Sequence, residues 1–184
     1  MSRLEQIVLF HTRRQEYQRL IMDLQNHHRP LGIVDLFSWL FPLTYLVHIA
    51  EEYWCGEGYP AYILRVRGVH LSTTRFLLAQ TLGTVLMAAG IMLARRFNFP
   101  HMMVIIMSSI VLVNGLTHTM TSLSNRTYGP GVVSSALIWI PLSIFCLVHF
   151  RKDLPRKRYM IGVAIGLAVN VLVFLITMRG ARLV

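Results

Sequence analysis

The sequence predicts an all-α membrane protein: a polytopic bundle of about five transmembrane helices behind an amphipathic N-terminal surface helix. Three observations carry that prediction. Hydrophobic residues make up 54% of the 184 residues and charged residues only 14%, which is too apolar for a chain solvated mainly by water. The apolar residues gather into five runs, each approaching the ~20 residues that a helix needs to cross a hydrocarbon core. Clear polar or Pro/Gly breaks separate the runs.

Residues 1–30 form a polar, basic arm, and residues 31–184 a single transmembrane domain. In the arm, Leu4, Ile7 and Val8, then Tyr17, Leu20, Ile21 and Leu24, recur at helical spacing beside Arg13, Arg14 and Arg19. That pattern suits a helix lying on a membrane surface, its cations toward anionic headgroups. The expected spans are Leu31–Ala50, Phe76–Ala94, Met102–Met120, Val132–Phe150 and Tyr159–Met178. Backbone groups in lipid must pair within their own segment, so the spans are helices. Gly56, Gly58 and Pro60 open the first long loop. Arg95, Arg96 and Pro100 divide the second span from the third. Tyr128-Gly129-Pro130-Gly131 makes a tight turn before the fourth, and residues 151–158 separate the fourth from the fifth.

The net charge of +10 lies between the apolar runs and not along one polar face, so it speaks for topology and lipid headgroups, with no nucleic acid expected. Cys55 and Cys146 give neither a disulfide framework nor a Cys-based metal motif. No apolar run leads to a small-residue cleavage site near the N-terminus, so no cleaved signal peptide is expected. The arm, the second loop and the fourth loop hold 12 of the 18 Lys and Arg residues, against 6 on the other side. The positive-inside rule then places the N-terminus in the cytoplasm and the C-terminus outside, with the plasma membrane of a bacterium as the expected location.

Polar residues at membrane depth are the candidates for function. The first span ends His48-Ile49-Ala50-Glu51-Glu52. At 100° per residue, Glu51 lies about −60° and Glu52 about +40° around the axis from His48, so all three project to one side. The third span ends with Asn114 and His118, which share a face at i and i+4. The first and third spans run in the same direction, so both clusters lie at one membrane face whichever way the protein is inserted. Unpaired imidazoles and carboxylates there are costly, which predicts that the two helices pack together near their C-terminal ends. The competing explanations are a solvated helix end for the glutamates and a buried hydrogen-bond network that fixes helix register.

The string His48-Ile49-Ala50-Glu51-Glu52 resembles the name motif of the HXXEE family of membrane proteins. That family also carries an Asn and a later His followed by a Tyr-x-Pro-Gly turn, which Asn114, His118 and Tyr128-Gly129-Pro130-Gly131 match in order. The resemblance covers about Asp35 to Val148. The family has no assigned biochemical function, so the resemblance implies a site and not a reaction.

His48, Glu52 and His118 offer two nitrogens and one oxygen. That set suits one divalent metal, zinc more than iron, with a position left open. Glu51 is then expected as the general base, Asn114 as an orienting or oxyanion-binding group, and Tyr128 as a further residue reaching the pocket. A di-iron centre lacks its carboxylates, because Asp35 sits at the far end of the first span. His70, His101 and His149 are scattered. Arg65, Arg67, Arg75 and Arg126 lie in loops on the side of the site and read as interface anchors; Gly162-xxx-Gly166 reads as a close-packing face. The leading expectation is a metal-dependent membrane enzyme, hydrolytic, acting on a lipid or other apolar small molecule near the extracytoplasmic face. The alternatives are a metal-free His/Glu isomerase or cyclase and a small proton- or cation-coupled transporter. Membrane lipids are the expected surroundings, and the sequence fixes no oligomeric state.

The orientation is directly testable. A C-terminal alkaline phosphatase fusion is expected to be active and a C-terminal green fluorescent protein fusion dark; the reverse pattern would invert the topology without separating the two polar clusters.

Overall fold

The structure, a computed structural model, describes residues 13–15, 17 and 32–180, the last four by backbone alone. Residues 13–15 and 17 are helical. The rest of the expected amphipathic arm lies outside the described residues. Among the described residues there is no strand. Among these residues five helices are long and apolar enough to cross a membrane, and the chain is an integral membrane protein.

The first span, α1, covers Ile33–Trp54. It runs a full turn past the expected end at Ala50, because the His48–Glu52 segment finds partners inside the bundle and stays helical. Pro42 sits within it, as membrane helices allow. Asp35 in its first turn pairs with Arg95 of the second span at 3.6 Å, at the opposite end of α1 from His48. The first loop is not plain loop: Tyr59–Arg67 forms a short helix, α2, with Pro60 in its first turn and Gly68 closing it. Its extent was hidden by its mixed composition, which has neither the apolar length of a span nor a clean amphipathic stripe.

The second span, α3, covers Thr73–Arg96 and starts at Ser72, whose hydroxyl accepts from the Arg75 amide at 3.3 Å. The third, α4, covers Pro100–Asn125. The fourth, α5, covers Val132–Asp153 and carries a π-helical stretch at Ser135–Trp139 and a 3₁₀ turn at Phe150–Asp153. The fifth, α6, covers Arg156–Gly180.

The bundle is organised around α4. It packs against α6, α5, α1 and α3, and it has the largest buried share of the five spans. The core joins Phe41 of α1, Ile91 of α3, Val104, Ile105 and Val111 of α4, and Trp139, Cys146 and Phe150 of α5. Large apolar residues such as Leu78, Leu82 and Leu86 on α3, and Val171 to Ile176 on α6, point outward. That arrangement suits a lipid solvent, where the outer surface must be apolar.

The α4–α6 contact rests on the small-residue pair read from the sequence. A Cβ on Gly166 would lie 2.5 Å from Ser109 Cβ and 2.8 Å from the Ile106 carbonyl oxygen. The Asn170 amide donates to the Ile110 carbonyl at 3.1 Å and locks the same contact. Replacing Gly166 with Val is expected to cost about 1–3 kcal/mol through overpacking, read as a lower Tm in detergent. Gly162→Ala is expected to cost less, since its new methyl meets chiefly the Ile105 side chain.

Candidate metal centre

The ends of α1 and α4 and the start of α5 converge. His48 and Glu52 are one turn apart on α1, and both are almost wholly buried, at 1% and 2% exposed. His118 comes from α4. Its Nε2 lies 3.4 Å from Glu52 Oε1, and His48 Nε2 lies 3.6 Å from the same oxygen. The three ligand atoms all fall within 4.8 Å of one another, and the two imidazole rings meet edge to face at 4.8 Å.

The partners of the two Nδ1 atoms suit one tautomer of each histidine. His118 Nδ1 is 3.1 Å from the Pro130 carbonyl oxygen. A carbonyl only accepts, so Nδ1 carries the hydrogen and Nε2 keeps its lone pair. Ser134 Oγ lies 2.8 Å from His48 Nδ1 and 3.3 Å from the Gly131 carbonyl oxygen; with its one hydrogen on that carbonyl, it accepts from His48 Nδ1. His48 Nε2 is buried with no hydrogen-bond partner. Two lone-pair nitrogens therefore face one carboxylate oxygen, three acceptors with no donor between them. A cation at their centre would relieve that arrangement. For zinc, bond lengths of about 2.0–2.1 Å put tetrahedral ligand atoms about 3.4 Å apart, close to the two His–Glu separations.

The turn before α5 makes the convergence possible. Gly131 has φ +88°, a left-handed conformation that favours glycine. A Cβ there would lie 2.6 Å from His48 Cε1, 3.1 Å from Glu52 Cγ and 3.1 Å from His118 Nδ1. The site is thus closed on one side by a backbone with no side chain. Trp139 closes another side, stacked on His48 at 3.7 Å and fully buried. Tyr59 of α2 lies 5.8 Å from the His118 ring. Burial, and then the Glu52 carboxylate, push the Tyr59 phenol up to about 12, so it stays neutral beside the site.

The two adjacent glutamates have different environments. Glu52 turns inward to the histidines. Its other oxygen, Oε2, accepts from the Gln80 amide of α3 at 2.5 Å. Glu51 turns to the start of α5, accepting from the Ser134 amide at 2.7 Å, the Val133 amide at 2.9 Å and the Tyr128 hydroxyl at 2.8 Å. The first backbone N–H groups of a helix have no partner within it, so Glu51 caps α5 from a neighbouring span. Tyr128 therefore reaches Glu51, not the His–Glu–His cluster. Asn114 is half-buried one turn before His118, and no hydrogen bond joins its amide to the cluster.

The sequence does not mark Gln80, Ser134, Trp139 or Tyr59 as site residues, and it marks Pro130 only as part of the turn. A lone amide within an apolar span was the one available signal for Gln80. The carbonyl of Pro130 and the hydroxyl of Ser134 carry no sequence signal beyond the turn itself.

Gly131→Ala is expected to misplace both histidines and to lower stability. The left-handed conformation alone costs about 1–2 kcal/mol for an alanine. A reduced Tm together with loss of metal uptake would bear this out, and unchanged uptake would show that the turn does not shape the site.

No curated protein and no solved structure matches the chain. A family model does, described as a protein of unknown function with HXXEE motif, over residues 39–146. That match covers more than half of the chain and includes His48, Glu51, Glu52, His118 and the turn at residues 128–131, and the chain belongs to the HXXEE family.

Proposed function

We propose that this protein is a metal-dependent integral membrane enzyme, hydrolytic, acting on a lipid or another apolar molecule near the extracytoplasmic face. One observation carries the metal: two histidines with hydrogen-bonded Nδ1 atoms aim their Nε2 lone pairs at one buried carboxylate oxygen. Zinc suits two nitrogens and one oxygen better than a hard cation does, and iron is the second choice. His48, Glu52 and His118 would hold the ion, and a bound Lewis acid would supply carbonyl or phosphoryl polarisation and an acidified water. The five apolar spans support an apolar substrate, since a molecule dissolved in the bilayer needs no transfer through water to reach this depth.

The rest of the chain's work is positional. Pro130 and Ser134 fix the imidazole tautomers, as outer partners of metal-binding histidines do. Glu51, engaged by three donors, holds the start of α5 over the site. That engagement occupies both of its oxygens, and the Tyr128 hydrogen bond ties the turn to α1. Arg67 at the end of α2, Arg75 in the first turn of α3 and Arg126 just after α4, all on the side of the site, suit headgroup contact.

A second reading has a specific observation behind it. In the other His48 tautomer, the Ser134 hydroxyl, 2.8 Å from Nδ1, would donate to the ring, and Nε2–H would face Glu52 Oε1 3.6 Å away, a hydroxyl–imidazole–carboxylate relay that needs no metal. Such a chain can move protons in an isomerase or cyclase.

Elemental analysis separates the two. Protein purified without a His-tag or metal resin is expected to hold about one equivalent of metal, and His48→Ala none. Glu52→Gln is expected to lose the metal as well. Glu51→Gln is expected to retain it and to melt earlier, because the α5 amides lose a charged acceptor worth about 1.5–3 kcal/mol per hydrogen bond. Metal-free wild-type protein that stays metal-free under zinc would favour the second reading.

A further inference from the structure

We infer that Gln80 is a positioning residue for the Glu52 carboxylate, setting which of its oxygens faces the two histidines, and that Tyr45 in turn fixes Gln80. The inference rests on the metal reading above.

Glu52 has two oxygens and two environments. Oε1 faces His48 Nε2 and His118 Nε2. Oε2 is bound to the Gln80 Nε2 at 2.5 Å. A carboxylate only accepts, so the amide nitrogen of Gln80 must be the end that points to it. The amide oxygen is then turned toward α1, where it accepts a short hydrogen bond from the Tyr45 hydroxyl. The chain runs in one direction: Tyr45 O–H to Gln80, Gln80 N–H to Glu52. Both ends of the amide are occupied, so its flip state is fixed by its neighbours.

The helices are shaped to permit this. Tyr45 stands one turn before His48 on α1, and its ring is nearly parallel to Trp139 at 5.8 Å, the same indole that covers His48. On α3, Gly83 lies one turn beyond Gln80. A Cβ at Gly83 would come within 2.9 Å of the Tyr45 hydroxyl. The absent side chain at position 83 is what admits the phenol to the Gln80 amide.

The consequence is chemical. A carboxylate held through Oε2 offers one oxygen to the cluster. Released, Glu52 is free to rotate and offer both, or neither. Outer partners of metal ligands commonly change metal affinity by about 10- to 100-fold.

The test uses the full-length protein in detergent, without a His-tag, titrated with Zn(II) against a chromophoric chelator and with Co(II) for its absorption spectrum. Gln80→Leu is expected to stay folded and monodisperse, to bind metal about 10- to 100-fold more weakly, and to shift the Co(II) bands. Tyr45→Phe removes one oxygen and is expected to give a smaller loss of affinity, with no further loss when combined with Gln80→Leu. A purely structural bond between α1 and α3 would lower Tm while leaving affinity and spectrum as in the wild type, and that result overturns the inference. Should Gln80→Leu fail to fold, Tyr45→Phe decides alone, with wild-type affinity and spectrum counting against it. Wild-type protein that takes up no metal, or whose uptake survives His48→Ala, refutes the metal reading itself and the positioning role with it.

Discussion

Burying two imidazoles and a carboxylate among apolar helices is the constraint on which the rest of the bundle depends. Each of these groups is stable at that depth only if its polar atoms have partners, and an unpaired buried polar group costs about 1–3 kcal/mol, more when charged. The partners cannot come from one helix. His48 and Glu52 are on α1, His118 on α4, Gln80 on α3, and Ser134 at the start of α5. Satisfying the cluster therefore fixes the register of four helices at one end. Apolar packing around α4 holds them along the rest of their length, but such packing tolerates sliding far better than a hydrogen bond does. The fifth span, α6, takes no part in the site and is held to α4 by close approach at Gly162 and Gly166.

The entry to α5 shows how backbone geometry serves that constraint. Ser134 hydrogen-bonds the His48 ring, and Trp139, five residues later, stacks on the same ring. In a regular α-helix, residues five apart point about 140° away from each other. A π-turn closes over five residues, so the fifth residue returns to nearly the same face. The π-helical stretch at Ser135–Trp139 is thus what lets one element both hydrogen-bond and cover His48. Ser134 and Trp139 clasp the imidazole at its edge and its face, leaving Nε2 as its open nitrogen.

The fold was largely legible because lipid leaves few options. Apolar length gave the spans, and the parity of their directions put His48 and His118 at one face before any contact was known. Helical spacing gave His48 and Glu52 as a pair. The division between Glu51 and Glu52 was only half legible. Their 100° separation says that they reach different neighbours, but not which neighbours, since that depends on where α5 begins in space. Gln80, Tyr45 and Trp139 were illegible for a different reason. Single amides and aromatics are common in membrane helices, and nothing within α3 marks Gln80 as facing a carboxylate 28 residues earlier. Helix α2 escaped because nine residues of mixed polarity, Tyr59–Arg67, carry too little periodicity to distinguish from a loop.

The position of the cluster at the helix ends follows from the same physics. In mid-membrane, every backbone N–H and C=O is spent on its own helix, so side chains there can be fixed only by other side chains. Where a helix stops, backbone groups become available. This site draws on them three times: the Pro130 carbonyl fixes His118, and the amides of Val133 and Ser134 fix Glu51. They come from the turn between α4 and α5 and from the first turn of α5, and Gly131 in that turn also makes the room that the two imidazoles occupy. A turn, the first residues of α5 and the C-terminal ends of two parallel spans, with one amide from α3, thus orient two imidazoles and two carboxylates without a long loop or an added domain.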